Sequence, residues 1–178
     1  MSLVEHIIIA EGVDAEDVDP FLNGMQRASE ILDWDGSVSV RVRFDQKGSA
    51  ASYRPSTNTI TFPVGTARKF MVSDRLYKMQ ATGSGAHEAT HLIRANQEPV
   101  TFMASCLVLE PVRRAVDFVL GLDLVTPEER TARNVQDQVL EEQFGMKLPR
   151  GRPSVEAYPS YYPARLTRKI IDKLWPEK

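Results

Sequence analysis

Of the three histidines in the chain, two lie four positions apart in His87-Glu88-Ala89-Thr90-His91. On an α-helix, residues i and i+4 share a face, so both imidazoles can address a single point. Two imidazoles at one point are the beginning of a zinc site. A glutamate beside the first can then reach a water on the metal as general base. A pattern this short arises by chance in roughly one protein of this length in two hundred, so it is taken as the centre of the chemistry.

A catalytic site of this kind needs a third protein ligand and keeps one position open. His6 is the only other histidine, and no ligand pattern surrounds it. The metzincin spacing HExxHxxGxxH fails, because Arg94 and Gln97 stand where glycine and histidine should be. The expected third ligand is therefore a carboxylate: Glu110 first, with Glu98 and Asp117 as alternatives. Residues 92 to 109, eighteen in all, separate His91 from Glu110. A glutamate at about this distance resembles the gluzincin arrangement, in which a second helix packs behind the motif helix and donates its carboxylate. Pro111 requires that this second helix start near Glu110 or bend there. Asp117 sits two turns on, where it can support the metal shell or form a surface ion pair.

The elements that must position these residues follow from periodicity. Residues 1–18 are acidic and poorly periodic, giving a loose arm or a first short element. Asp19-Pro20 reads as an N-cap and a first helical proline, opening a core-facing helix through Phe21, Met25, Ala28 and Leu32 to about Trp34. Ser37 to Phe44 alternates, with Val38, Val40, Val42 and Phe44 on one face of a half-buried strand. A second strand is expected at about Ala50–Arg54, and a third at Thr59–Phe62. Pro63 marks that third strand as a sheet edge. Ser73-Asp74 caps the motif helix, and Gly83-Ser84-Gly85 is read as a break with a fresh start at Ser84, with close approach of another backbone near the metal as the alternative. Phe102 to Leu122 is apolar enough to be largely buried, carrying Glu110 inward. Thr126-Pro127-Glu128-Glu129 is a capping box for a helix running to Phe144, with Gly145 as C-cap. Residues 147–163 are irregular, and Tyr158, Tyr161 and Tyr162 there serve packing or offer a phenol to an oxyanion. Leu166, Ile170 and Leu174 make a closing amphipathic helix.

The run Tyr53-Arg54-Pro55, then Ile60-Thr61-Phe62-Pro63, then a helix entering His87–His91 resembles the zincin-like peptidase domain of ArdC-type antirestriction proteins. The ImmA/IrrE peptidases share that layout. The resemblance covers about residues 37–122 and implies an α+β zincin-like fold with a small mixed sheet. It also implies a setting in phage, plasmid or host-defence biology.

Composition sets the remaining bounds. With 178 residues, 42% hydrophobic and 26% charged, the chain reads as one globular domain without a membrane-spanning run. The N-terminus shows no signal-peptide pattern, and Cys106, the single cysteine, reads as a buried inert thiol in a cytosolic protein. Residues 1–50 carry ten acidic and four basic side chains, whereas 146–178 carry three acidic and eight basic. That basic C-terminal extension raises nucleic-acid contact as an alternative function. The main expectation is a zinc peptidase in which His87, His91 and Glu110 hold the metal and Glu88 is the base. Its peptide substrate would lie along Thr59–Phe62.

Overall fold

The computed structural model describes residues 4, 6–34, 36, 40–48, 50–70, 73–109, 112 and 126–146. Alternation from Val40 to Phe44 gives a strand with one apolar face. In β2 (Arg41–Asp45), Val42 and Phe44 are fully buried while Arg41 and Arg43 are exposed. On one side β2 pairs in parallel with β1 (His6–Ile9), so the N-terminal segment holds a short element. On the other side it pairs in parallel with β4 (Thr59–Pro63), and β3 (Ser52–Arg54) closes the sheet antiparallel to β4. The expected beginning of β2 at 37–39 lies outside the described residues.

The order β1-β2-β4-β3 corrects one expectation. Thr59–Phe62 is an interior strand, with both ladders occupied, and Pro63 sits at its end opposite Asp45. A peptide cannot add to β4. Along that side of the sheet the edge strand is β3.

One face of the sheet is covered by helices. Phe21 of α1 (Ala15–Ile31) lies against Phe44 and Phe62, with ring centroids 5.9 and 4.5 Å away. Val18, Met25 and Ala28 are buried beside it. The helix starts earlier than Asp19-Pro20 suggests, because Pro20 is accommodated inside it. The carbonyl left without its amide partner belongs to Glu16, in the exposed first turn.

The motif helix is α3 (Asp74–Gln97), preceded by the short α2 (Val64–Phe70). Ser73 caps α3, its Oγ accepting from the Leu76 amide. The helix does not break at Gly83-Ser84-Gly85. A Cβ on Gly85 would stand 2.1 Å from the Phe21 carbonyl oxygen, and one on Gly24 would stand 2.0 Å from the Thr82 oxygen. These glycines exist so that the α1 and α3 backbones can touch. Gly83 faces the other way, where a Cβ would meet Gln136 and Leu140.

After α3 come α4 (Pro99–Ala104) and a π-turn at Ser105–Leu109. Burial here is less than expected. Phe102 and Ser105 are inside, but Val108, Leu109, Val112 and the Cys106 thiol are exposed. The segment anchors through Phe102, packed on the Tyr53 and His91 rings, which turns its other apolar side chains outward. Glu110, Asp117 and the rest of that run, like 147–178, lie outside the described residues. The last described helix, α5 (Pro127–Phe144), has the anticipated limits, with Thr126 as N-cap and Gly145 left-handed at φ 67°. Among the described residues no helix is long and apolar enough to cross a membrane.

An ordinary glycine-to-alanine change in a helix interior gains up to about 1 kcal/mol. Gly24→Ala and Gly85→Ala should instead each cost about 1–3 kcal/mol or more in urea unfolding, because the backbones must separate. A stabilised Gly85→Ala would mean that α1 and α3 do not touch.

Candidate metal centre

Near its middle α3 is buried almost all round by small residues, including Ala81, Ala86, Ala89 and Thr90. Ser84, His87 and His91 form the stripe left partly open. The two imidazoles meet along it, with Nε2 atoms 3.1 Å apart. The third group is Glu129 of α5, whose Oε2 lies 3.4 Å from His87 Nε2 and 3.5 Å from His91 Nε2. Three donors at these separations match the edge of a tetrahedron with bonds of about 2.0–2.1 Å, which is about 3.3 Å. The donor set therefore fits a zinc-like ion, and among the described residues it is the grouping of His, Cys, Asp or Glu that can hold one.

Glu129 is the third residue of its helix, and sequence reasoning assigned it only to the capping box. Thr126 Oγ1 does accept from the Glu129 amide. The carboxylate, however, faces α3: Oε2 points to the histidines, while Arg133 Nε donates to Oε1 at 2.9 Å. Its neighbour Glu128 is buried and accepts from Arg94 Nε at 3.3 Å, one turn past His91. The same Arg94 also binds Glu98, with Nη2 2.9 Å from Oε2. Glu98 is thus occupied at the helix end, away from the histidines. Consecutive side chains of α5 tie its N-terminal turn to α3 in one register, and Gln136, two turns on, hydrogen-bonds His87. Closure there depends on Gly83, against which Gln136 lies.

Glu88 points into the core side of the motif. It is buried, and the Tyr53 backbone amide of β3 donates to it. Burial drives its pKa upward, against the pull of His87 and His91. Glu129 goes the other way: burial opposes ionisation, but hydrogen bonds from His87, His91 and Arg133 hold it well below the usual carboxylate range. Burial likewise works against a charged His87, yet the Glu129 hydrogen bond and charge outweigh it and raise the pKa. Two carboxylates in one pocket are thereby assigned opposite protonation tendencies.

Of the residues anticipated for the site, the structure brings together His87, His91 and Glu88. Glu98 is placed elsewhere, and Glu110, Asp117, Tyr158, Tyr161 and Tyr162 lie outside the described residues. No protein-family model matches the chain, and neither the curated proteins nor the solved structures give a match. The reading of the site rests on its own chemistry.

Two outcomes are expected. Glu129→Ala should lose at least tenfold in zinc affinity in a competition titration, while Glu110→Ala should not; the reverse result would return the third position to Glu110. The pH response of the metal-free chain follows from the raised His87 and Glu88 values. Each contributes stability at low pH that is lost as pH rises through its folded-state pKa. Melting temperature without metal should therefore fall as pH climbs past the unperturbed histidine value of about 6.5. Zinc affinity should rise over the same interval, because the ion takes neutral imidazole.

Proposed function

We propose that the chain is a zinc-dependent peptidase of zincin-like design, with His87, His91 and Glu129 holding the ion and Glu88 acting as general base. The observation that carries this reading is the convergence of three donors with a buried, independently held carboxylate beside them. When bound, zinc supplies Lewis acidity toward a carbonyl and acidifies water. The remaining chemistry belongs to the chain. Glu88 sits next to the ligands, and its raised pKa suits a group that takes a proton from water and returns it to the leaving amine. The Tyr53 backbone amide lies by that carboxylate and favours its charged form.

The same amide suggests where the substrate runs. Among the described residues the outer edge of β3 pairs with no strand. An extended peptide added beside Ser52–Arg54 would pass the general base, held by main-chain hydrogen bonds. His91, Phe102 and Tyr53 form a continuous ring wall next to it, with centroids 6.1 and 6.2 Å apart. A purely structural zinc site is less well supported, since such sites close four positions with protein groups and commonly use cysteine. The likeness to ArdC-type and ImmA/IrrE peptidases adds a cytosolic, mobile-element or host-defence setting to the proposal.

Glu88→Gln tests it, keeping volume while removing the base. Cleavage of a peptide library should fall by about a hundred- to ten-thousand-fold, with zinc content and melting temperature near wild type. Equal cleavage by the variant would remove the mechanism, and lost zinc would make Glu88 a support of the metal instead.

A further inference from the structure

The described helices, with the candidate metal centre, occupy one face of the sheet; among the described residues no element covers the opposite face. Register places His6, Arg41, Thr59 and Arg54 in one row across it and Ile8, Arg43, Thr61 and Ser52 in the next. Arg41, Arg43, Arg54 and Ser52 are exposed, and the two threonines are half-buried. Strand spacing of about 4.8 Å sets Arg41 and Arg54 about 10 Å apart, and Arg43 stands about 7 Å along from Arg41. Asp45 takes Arg43 Nε at 2.7 Å, whereas among the described residues neither Arg41 nor Arg54 has an ion-pair partner. Glu16, Asp17 and Asp19 belong to α1, which packs on the other face, while Asp45 joins the arginines on this one. Among the described residues of this face three arginines stand against one aspartate, so it is net positive, although the whole chain carries −2.

We propose that this face docks on the phosphate backbone of duplex DNA. Arginine, serine and threonine are the side chains that donate to phosphate oxygens. Duplex DNA offers about one negative charge per 1.7 Å of axis, enough to meet a row of exposed cations at this spacing. A single strand fits less well, because sequence-tolerant binding of one uses successive aromatic stacking platforms, and these rows carry no Phe, Tyr or Trp and only the His6 imidazole at one end. A flat sheet face presents no helix or ribbon to the major groove, so recognition is of the backbone and independent of sequence. The proposal stands apart from the metal: His87, His91 and Glu129 belong to α3 and α5, on the helical side of the sheet.

The test is fluorescence anisotropy of a short mixed-sequence DNA duplex with the full-length protein across a salt series. Three phosphate contacts predict a slope of about −2.7 in log affinity against log salt, so affinity should fall about fortyfold from about 50 to about 200 mM. Arg41→Gln combined with Arg54→Gln should reduce the slope to about −0.9, and the double lysine variant should keep most of the binding. Should the double glutamine variant melt early, Arg54→Gln alone, on the edge strand, should lower the slope by about 0.9. Four results would overturn the proposal: no duplex binding at low salt; an unchanged slope in the glutamine variants, which would move contact to the basic residues of 146–178; tighter binding of a single strand of the same sequence; or equal, arginine-dependent binding to phosphatidylserine vesicles.

Discussion

Everything in this fold depends on two helices being allowed to touch. Gly24 and Gly85 each present a bare Cα to a carbonyl of the opposite helix, with no room for one carbon more. That contact sets the depth of α3 against the sheet, and with it the depth of Glu88 beneath the Tyr53 amide. Gly83 repeats the device toward α5, drawing in the helix that brings Glu129 and Gln136 to the histidines. Three glycines within one turn of the motif and its neighbour would weaken an isolated helix by about 1 kcal/mol each. They are tolerated because close packing on several sides replaces what local propensity gives up.

How much of this was legible in the sequence depends on how local the signal was. The alternating faces of Val40-Arg41-Val42-Arg43-Phe44, the Ser73 and Thr126 caps and the left-handed Gly145 are set within a few residues, and all were readable. The neighbours of β4 were not, because pairing is decided by strands distant in sequence. A proline at a strand end looks the same in an edge strand and an interior one. Gly83 and Gly85 failed for the same reason: a glycine that ends a helix and one that admits another backbone differ only in what arrives from elsewhere.

Glu129 is the instructive case for the site. A threonine followed three residues later by glutamate has a sufficient local explanation as a capping box, and nothing nearby suggests a second use. In the fold only half the box is built, since the Glu129 carboxylate faces α3 instead of completing the cap. The histidines were identifiable because i and i+4 guarantee a shared face. Their partner comes from 38 positions beyond His91, and only the α3–α5 packing brings it there. Arg94 offers the one sequence-level hint in retrospect: a cation one turn past the motif needs a carboxylate, and Glu128 supplies it beside Glu129.

The electrostatic design divides the labour between two otherwise similar carboxylates. Glu129 reaches the histidines from the tip of a helix, where two imidazoles and Arg133 surround it and favour its ionised form, as the proposed ligand role requires. Glu88 grows from the motif helix into the apolar layer under β3, where burial favours its protonated form and one backbone amide restrains it. The two positions could not be exchanged without reversing these environments. A residue at 88 is one step from its histidine on α3 and rotates about 100° away from the histidine stripe, so in the proposed site it would lie beside the ion and not among its ligands. A residue at 129 comes from another element and is free to complete the donor set. In the proposed mechanism the HExxH spacing keeps Glu88 from competing with its own histidines for an ion, and the third donor comes from a separate helix.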